Sequence, residues 1–509
     1  MPGNFRLISI AAAALAAAVL AAPVQAKRDS LNIAFYTKFH TMEPYQTSAR
    51  QMLQMGYMIW DPLVLRDADT GKILPHVATS WSTPTPLTWE FKIRKDVKFH
   101  NGDPLTSESI RYTIEDRILD PERKSPRLPN FKWVKRVEII DDHSFRIHTH
   151  APYALALERL NTLYIMDSKW GKAHDFGYIQ EHAMGSGPYK WVSWTKGSRV
   201  VLVRNENYWM KGVPAIKNVT MKIVPEASTR LAELFSGGTD VSLNLLLDQV
   251  PGFKSQPNYK VLNFPIIRVD FWQFDTKGRA SDTPVKDVRV RRAIAHAIDR
   301  NKIVSKLVRT EGYRVDTPMS PYHFGYDKSV QWYDYDPKKA KKLLADAGYP
   351  KGFEIDLWQY QDHQNLPNQA AMQMLEKVGI KINLKDYRGN SQQMGKLRRA
   401  GKITGIGNFN WGSYNIFDAD AILYPFFDKS SSNNYAGDEE LSAWLNEARD
   451  SVDPKLRKEI YKKAQKRIID QAYWMPFFGV KRFYGIHKDL DLKAGLDEVP
   501  RFQFAKWKK

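Results

Sequence analysis

Cysteine is absent from the 509 residues. That excludes disulfides, thiolate metal sites, a cysteine nucleophile and a lipid-attachment cysteine. Long apolar runs are nearly absent too. The one from Leu7 to Ala22 follows Arg6 and leads to Val24-Gln25-Ala26, small or short residues of the kind that precede a signal-peptidase cut. It falls short of the ~20 residues of a membrane-spanning helix. Cleavage after Ala26, export and a soluble mature chain are therefore expected. A long exported chain can dispense with disulfides because it buries enough apolar surface on its own.

Recognisable catalytic motifs are lacking as well. His148 and His150 share one side of a strand pattern, but no third ligand stands near them in sequence. Ser193-Trp-Thr-Lys196 matches a serine–lysine pattern without the motifs that accompany it. Gly405-Ile-Gly407 lacks the third glycine of a dinucleotide loop, since position 410 is asparagine. No phosphate loop or zinc-peptidase helix is present. The chain is not expected to be an enzyme or to carry a cofactor or metal.

What is present suits a chain of two or three folded units: 43% hydrophobic residues and 76 basic against 56 acidic side chains, a net charge of +20. Loss of the leader removes only Arg6 and leaves +19. The basic residues are spread out, as in KKAKKLL (338–344) and KLRKEIYKKAQKR (455–467), and read as solvated helix faces. Export argues against a nucleic-acid partner, so the charge says little about function.

Strand-like and helix-like segments alternate without a fixed period. Leu31 to Tyr36 and Leu87 to Ile93 read as strands, with a turn at Asn101-Gly102. Val137 to His150 reads as two strands joined at Asp141-Asp142. Val290, Ile294 and Ile298 mark one helix. Asp336-Pro337 starts a second, with Ala340, Leu343, Leu344 and Ala347 on its apolar face and Gly348 as its stop. Asp453-Pro454 starts a third, with Leu456, Ile460, Ala464 and Ile468 along one side. Phe353-Glu-Ile-Asp-Leu and Lys381-Ile-Asn-Leu are the strands on which these helices would pack. The class is mixed α/β.

Several segments, in order, resemble the bacterial extracellular solute-binding proteins of family 5, the peptide- and nickel-type receptors of ABC importers. They are LPHVATSW (74–81), TWEFKIRKDVKFHNGDPLTSESIRY (88–112), GSGPY (185–189), RNENYW (204–209), STRLAELFSGGTD (228–240), DVRVRRAIAHAIDRNKIV (287–304) and YDPKKAKKLLADAGYPKG (335–352). The resemblance runs from about Leu31 to Phe478. It implies a two-lobed α/β periplasmic binding protein fold of the large peptide-receptor type, with an extra subdomain in the larger lobe. The expected layout is a leader at 1–26, a larger lobe at 27–284 with a subdomain inserted at about 61–184, a smaller lobe at 285–470, and a return to the larger lobe at 471–509. It further implies a periplasmic, monomeric protein that takes a peptide or small-molecule ligand and hands it to a permease in the inner membrane.

By the same resemblance, Trp411 in GNFNWGSYNIFDADA (407–421) matches a tryptophan that lines the family's cleft. Dipeptide receptors follow that tryptophan with an aspartate for the ligand's ammonium group. Here Gly412-Ser413-Tyr414-Asn415 intervenes, and the acids come only at Asp418 and Asp420. Those receptors also use an arginine for the ligand's carboxylate; the matching loop, WQYQDHQNLPN (358–368), has His363 and no arginine. A free dipeptide is therefore a poor fit, because an enclosed ligand charge left unpaired costs several kcal/mol. Longer peptides remain open, as do opines, sugar conjugates and chelated nickel. The ligand-contact candidates are Trp411, Tyr414, His363, Tyr36, Trp272 and Asp418. Tyr36 and Trp272 fit a core equally well, and Asp418 and Asp420 fit a bracing role for the segment that follows.

Overall fold

A computed structural model describes residues 28–308, 312–412 and 415–508. The leader and Tyr414 lie outside these residues. The strands and helices expected from the sequence stand where the patterns put them. Asp336 and Asp453 each accept a hydrogen bond from a first-turn N–H, with proline at the start of Pro337–Asp346 and Pro454–Asp470. Thr88–Ile93, Val134–Asp141 and Ser144–Thr149 are strands. The lysines of 338–342 and 455–466 are exposed, as solvated faces should be.

One residue departs from its expected face. Leu456 is 37% exposed, whereas Arg457 beside it is buried. A spacing of four overshoots the 3.6-residue turn by about 40° per step. Three steps back from Ile468, position 456 has drifted off the packed side, and Arg457, Ile460, Tyr461, Ala464 and Ile468 occupy it.

Among the described residues the main sheet has eleven strands, and two long ones run through its middle, Tyr259–Phe274 and Trp474–His487. They pair antiparallel with each other along their length. Tyr259–Pro265 lies against Lys481–His487, and Val269–Gln273 against Trp474–Gly479, with a register shift between Pro265 and Val269. Proline has no N–H to give the ladder, so the pairing breaks where it stands. On one side the sheet continues through Val241–Ser242, Ser30–Phe35 and Asn218–Ile223, and on the other through Ile406–Trp411, Phe353–Gln359 and Ile380–Asp386. The break thus falls between two differently built halves, which is where a hinge belongs.

The fold is two-lobed. One apolar core joins the first strand, the helix Arg50–Ile59 and residues up to Leu243 with Tyr484 to Ala505. Two others join Ile266–Phe274, the helices of the C-terminal half and Trp474–Val480. The smaller lobe's cores therefore take in segments flanking 285–470, because the long strands belong to both halves. A separate four-stranded sheet of residues 78–149 lies within the larger lobe's part of the chain.

Candidate functional site

The strand Ile406–Trp411 runs antiparallel to the hinge strand, with Trp411 opposite Val269 and Asn410 opposite Asp270. That register brings Gly412 beside Arg268. A Cβ on Gly412 would sit 3.1 Å from the guanidinium carbon, so the bare α-carbon gives the arginine room. Arg268 donates from Nη1 to Asn410 Oδ1 at 3.0 Å, and from Nε and Nη2 to Glu498 Oε1 at 3.2 and 2.9 Å. It joins the smaller lobe's strand to a carboxylate carried by the C-terminal return.

Glu498 serves more than one cation. Arg50 Nη2 lies 3.7 Å away and Arg482 Nε 3.5 Å. Burial alone would push the Glu498 carboxyl up, but Arg268, Arg50 and Arg482 together hold it well below the usual carboxylate range. One carboxylate thus faces three guanidinium groups.

Around this cluster lies a cavity of about 360 Å³, lined by Trp411, Phe409, Tyr360, Arg398, Arg268 and Arg50 among others. Its lining draws on both lobes and contains no acidic side chain and no histidine among the described residues. Trp411 is fixed as a wall: its indole N–H donates to the Ala421 carbonyl at 2.8 Å, and its ring meets Phe426 edge-on at 5.0 Å. The Arg398 guanidinium sits 4.7 Å from the Phe409 ring centre, 5.1 Å from that of Phe426 and 5.8 Å from that of Trp411. Cation and aromatic faces are thereby presented together. The chemistry on offer is recognition of negative charge beside a flat surface.

The remaining candidates from the sequence are placed as follows. The Tyr36 phenol is close enough to Glu498 that, after burial, this charge pushes its pKa up, which sets it beside the arginine cluster. His363 contacts Asp270 Oδ2 through Nε2 at 3.1 Å, and Gln364 and Asn408 share that buried carboxylate. Trp272 is fully buried, with its N–H donated to Asn368 Oδ1 at 2.9 Å and its ring against Phe477. Asp418 is held by both terminal nitrogens of Arg457 at 2.9 and 2.8 Å, and Asp420 by Arg449. The side chains of His363, Trp272 and Asp418 are committed to these protein partners, and none of the three lines the cavity. The two acids tie the Trp411 segment to the helices Glu439–Arg449 and Pro454–Asp470.

The lobes touch at a second point. Arg66 donates to Glu158 Oε2 at 2.6 Å and to the Asn415 carbonyl at 3.2 Å, while Glu158 Oε2 accepts the Phe417 N–H at 2.6 Å. The Arg66 guanidinium also covers the Phe417 ring at 4.1 Å. An ion pair of the larger lobe thus grips the main chain that follows Trp411.

Two lobes, paired long strands at a hinge and a polar cleft between the lobes define a periplasmic binding protein of the ABC-importer type. The family model for "Bacterial extracellular solute-binding proteins, family 5 Middle" matches residues 72–434, and the chain belongs to that family. It is similar to Heme-binding protein A of Haemophilus influenzae, 30% identical over 488 residues, covering 85% of this chain and 87% of that protein. It is also similar to Glutathione-binding protein GsiB of Pectobacterium atrosepticum, 26% identical over 480 residues, covering 92% and 91%. Among solved structures, HbpA2 from Haemophilus parasuis superposes with a TM-score of 0.83 at 21% identity, over 94% of this chain and 100% of that one.

The arginines of the cavity were not foreseen. They come from the first helix, the hinge strand and the helix Ser391–Arg399, three segments far apart in sequence. Only Arg398-Arg399, shortly before the GNFNW strand, was a usable signal.

Proposed function

We propose that the protein binds an anionic peptide or peptide-like solute in its interlobe cleft and delivers it to the permease of an ABC importer. The supporting observation is the charge of the cavity: Arg50, Arg268, Arg398 and Arg399 line it, while the carboxylate of Glu498, which pairs with Arg50 and Arg268, is outside the lining. Carboxylates answer guanidinium groups with paired, charge-assisted hydrogen bonds. Trp411 and Phe409 supply flat surface for an unsaturated or planar part of the ligand. The absence of arginine from 358–368 does not leave a ligand carboxylate without a partner, because Arg398 and Arg268 approach the same space from other elements.

Glutathione and heme, named by two relatives, both carry carboxylates at neutral pH, and an opine or acidic sugar conjugate shares that chemistry. Chelated nickel is disfavoured, because the lining offers neither histidine nor carboxylate. Native mass spectrometry of protein purified without refolding tests the reading. A co-purified organic acid is expected, and a retained nickel chelate or neutral sugar would overturn it.

A further inference from the structure

A second cavity, of about 200 Å³, lies on the larger-lobe side of the first and shares Arg50 and Arg268 with it. Arg127 and Arg159 line it, with Thr162, Asn130 and Ser48. Arg127 is 5% exposed, yet its one side-chain hydrogen bond is from Nη2 to the Thr162 hydroxyl at 2.9 Å, and its buried Nε has no partner. Arg159 donates to Asn130 Oδ1 and to the Tyr153 hydroxyl. Among the described residues neither arginine lies within ion-pair distance of a carboxylate. The titratable neighbours of Arg127 are Arg159 and the phenols of Tyr45, Tyr57 and Tyr164, and burial pushes its pKa down.

A guanidinium group keeps its charge even when buried. A buried charge without a counter-ion costs several kcal/mol. Buried arginines elsewhere in the chain have an acid or several main-chain carbonyls to meet them: Arg66 has Glu158, Arg457 has Asp418, and Arg230 and Arg291 donate to carbonyls. Arg127 has only the Thr162 hydroxyl, and it lines a cavity that shares Arg50 and Arg268 with the ligand site. Ile416, which follows the Trp411 loop, also lines this cavity, so closure of the smaller lobe completes it.

We infer that Arg127 and Arg159 form a second anion subsite, so that the ligand is at least a dianion with one acidic group at Arg398 and Arg268 and another at Arg127. This rests on the reading of the cleft as a site for an anionic solute. It narrows that class to molecules with two acidic groups separated by a linker, and it excludes ligands with a single carboxylate.

Two titrations on the whole mature protein test it separately. In the first, citrate is added at constant ionic strength and the melting temperature is followed. Wild type is expected to rise, and the R127M/R159M variant to show little rise from an apo melting temperature equal to or above that of wild type. An equal citrate response in both proteins, or an apo variant that melts well below wild type, overturns the subsite. In the second, glutathione and its glycine monoethyl ester are compared by calorimetry. The diacid is expected to bind wild type about tenfold more tightly than the ester, and R127M/R159M to lose that difference. A wild type that takes diacid and ester equally counts against the subsite. If neither probe binds while the citrate response still depends on Arg127 and Arg159, the peptide-like reading of the cleft fails and the anion subsite stands.

Discussion

Replacing Glu498 by glutamine removes the one negative charge from the arginine cluster and changes little else. The side chain keeps its volume, the backbone keeps its left-handed φ of +64°, and the Glu498 carbonyl keeps its bonds from Gln54 and the Tyr484 hydroxyl. What is lost is a buried carboxylate 2.9 Å from Arg268, 3.5 Å from Arg482 and 3.7 Å from Arg50. Breaking a fully buried pair costs about 3–5 kcal/mol. The three arginines here are partly solvated, which screens their repulsion, so about 2–3 kcal/mol is expected. For a lobe of this size that is a fall of about 3–6 °C in melting temperature.

The pH dependence has a definite sign. The folded-state pKa of Glu498 is depressed, so its contribution is fully present above the unfolded value of about 4.3 and is lost as pH falls through the folded value. The gap between wild type and E498Q should be complete at pH 7 and close progressively on acidification. Added acetate should also narrow it by replacing the missing carboxylate. Equal melting temperatures at pH 7 would refute the idea that Glu498 neutralises the cleft.

Other substitutions separate binding from folding. Trp411→Ala should weaken ligand binding about tenfold or more through loss of stacking surface with little change in melting temperature; unchanged affinity in calorimetry would remove Trp411 from the site. Asp418→Asn should cost about 3–5 kcal/mol in urea unfolding, because it strands Arg457 in a buried position, and leave ligand affinity unaltered. The opposite pattern, stable but weak in binding, would make Asp418 a ligand contact. Glu158→Gln loosens the grip on the Phe417 N–H and should raise the ligand's dissociation rate about tenfold, which stopped-flow fluorescence would read; an unaltered rate would mean that this contact does not hold the closed form.

Much of the fold was legible in the sequence because its signals are local. The Asp-Pro starts at 336 and 453 and the turn at Asn101-Gly102 need only neighbouring residues to be read. The family segments then fix their order. Trp411, expected at the cleft, lines the cavity, but the cavity's charge was not legible. Arg50, Arg268 and Arg398 meet through the register of Ile406–Trp411 on the hinge strand, and nothing local announces that meeting. Trp272 shows the converse difficulty. Residues 269–274 are buried on both faces, so the alternation that normally separates core from surface carries no information there.

Small-angle scattering on the protein stripped of co-purified ligand, and again after resaturation, addresses the receptor mechanism itself. Closure about the Pro265–Val269 hinge predicts a smaller radius of gyration in the saturated sample. Saturated binding with no contraction would contradict it.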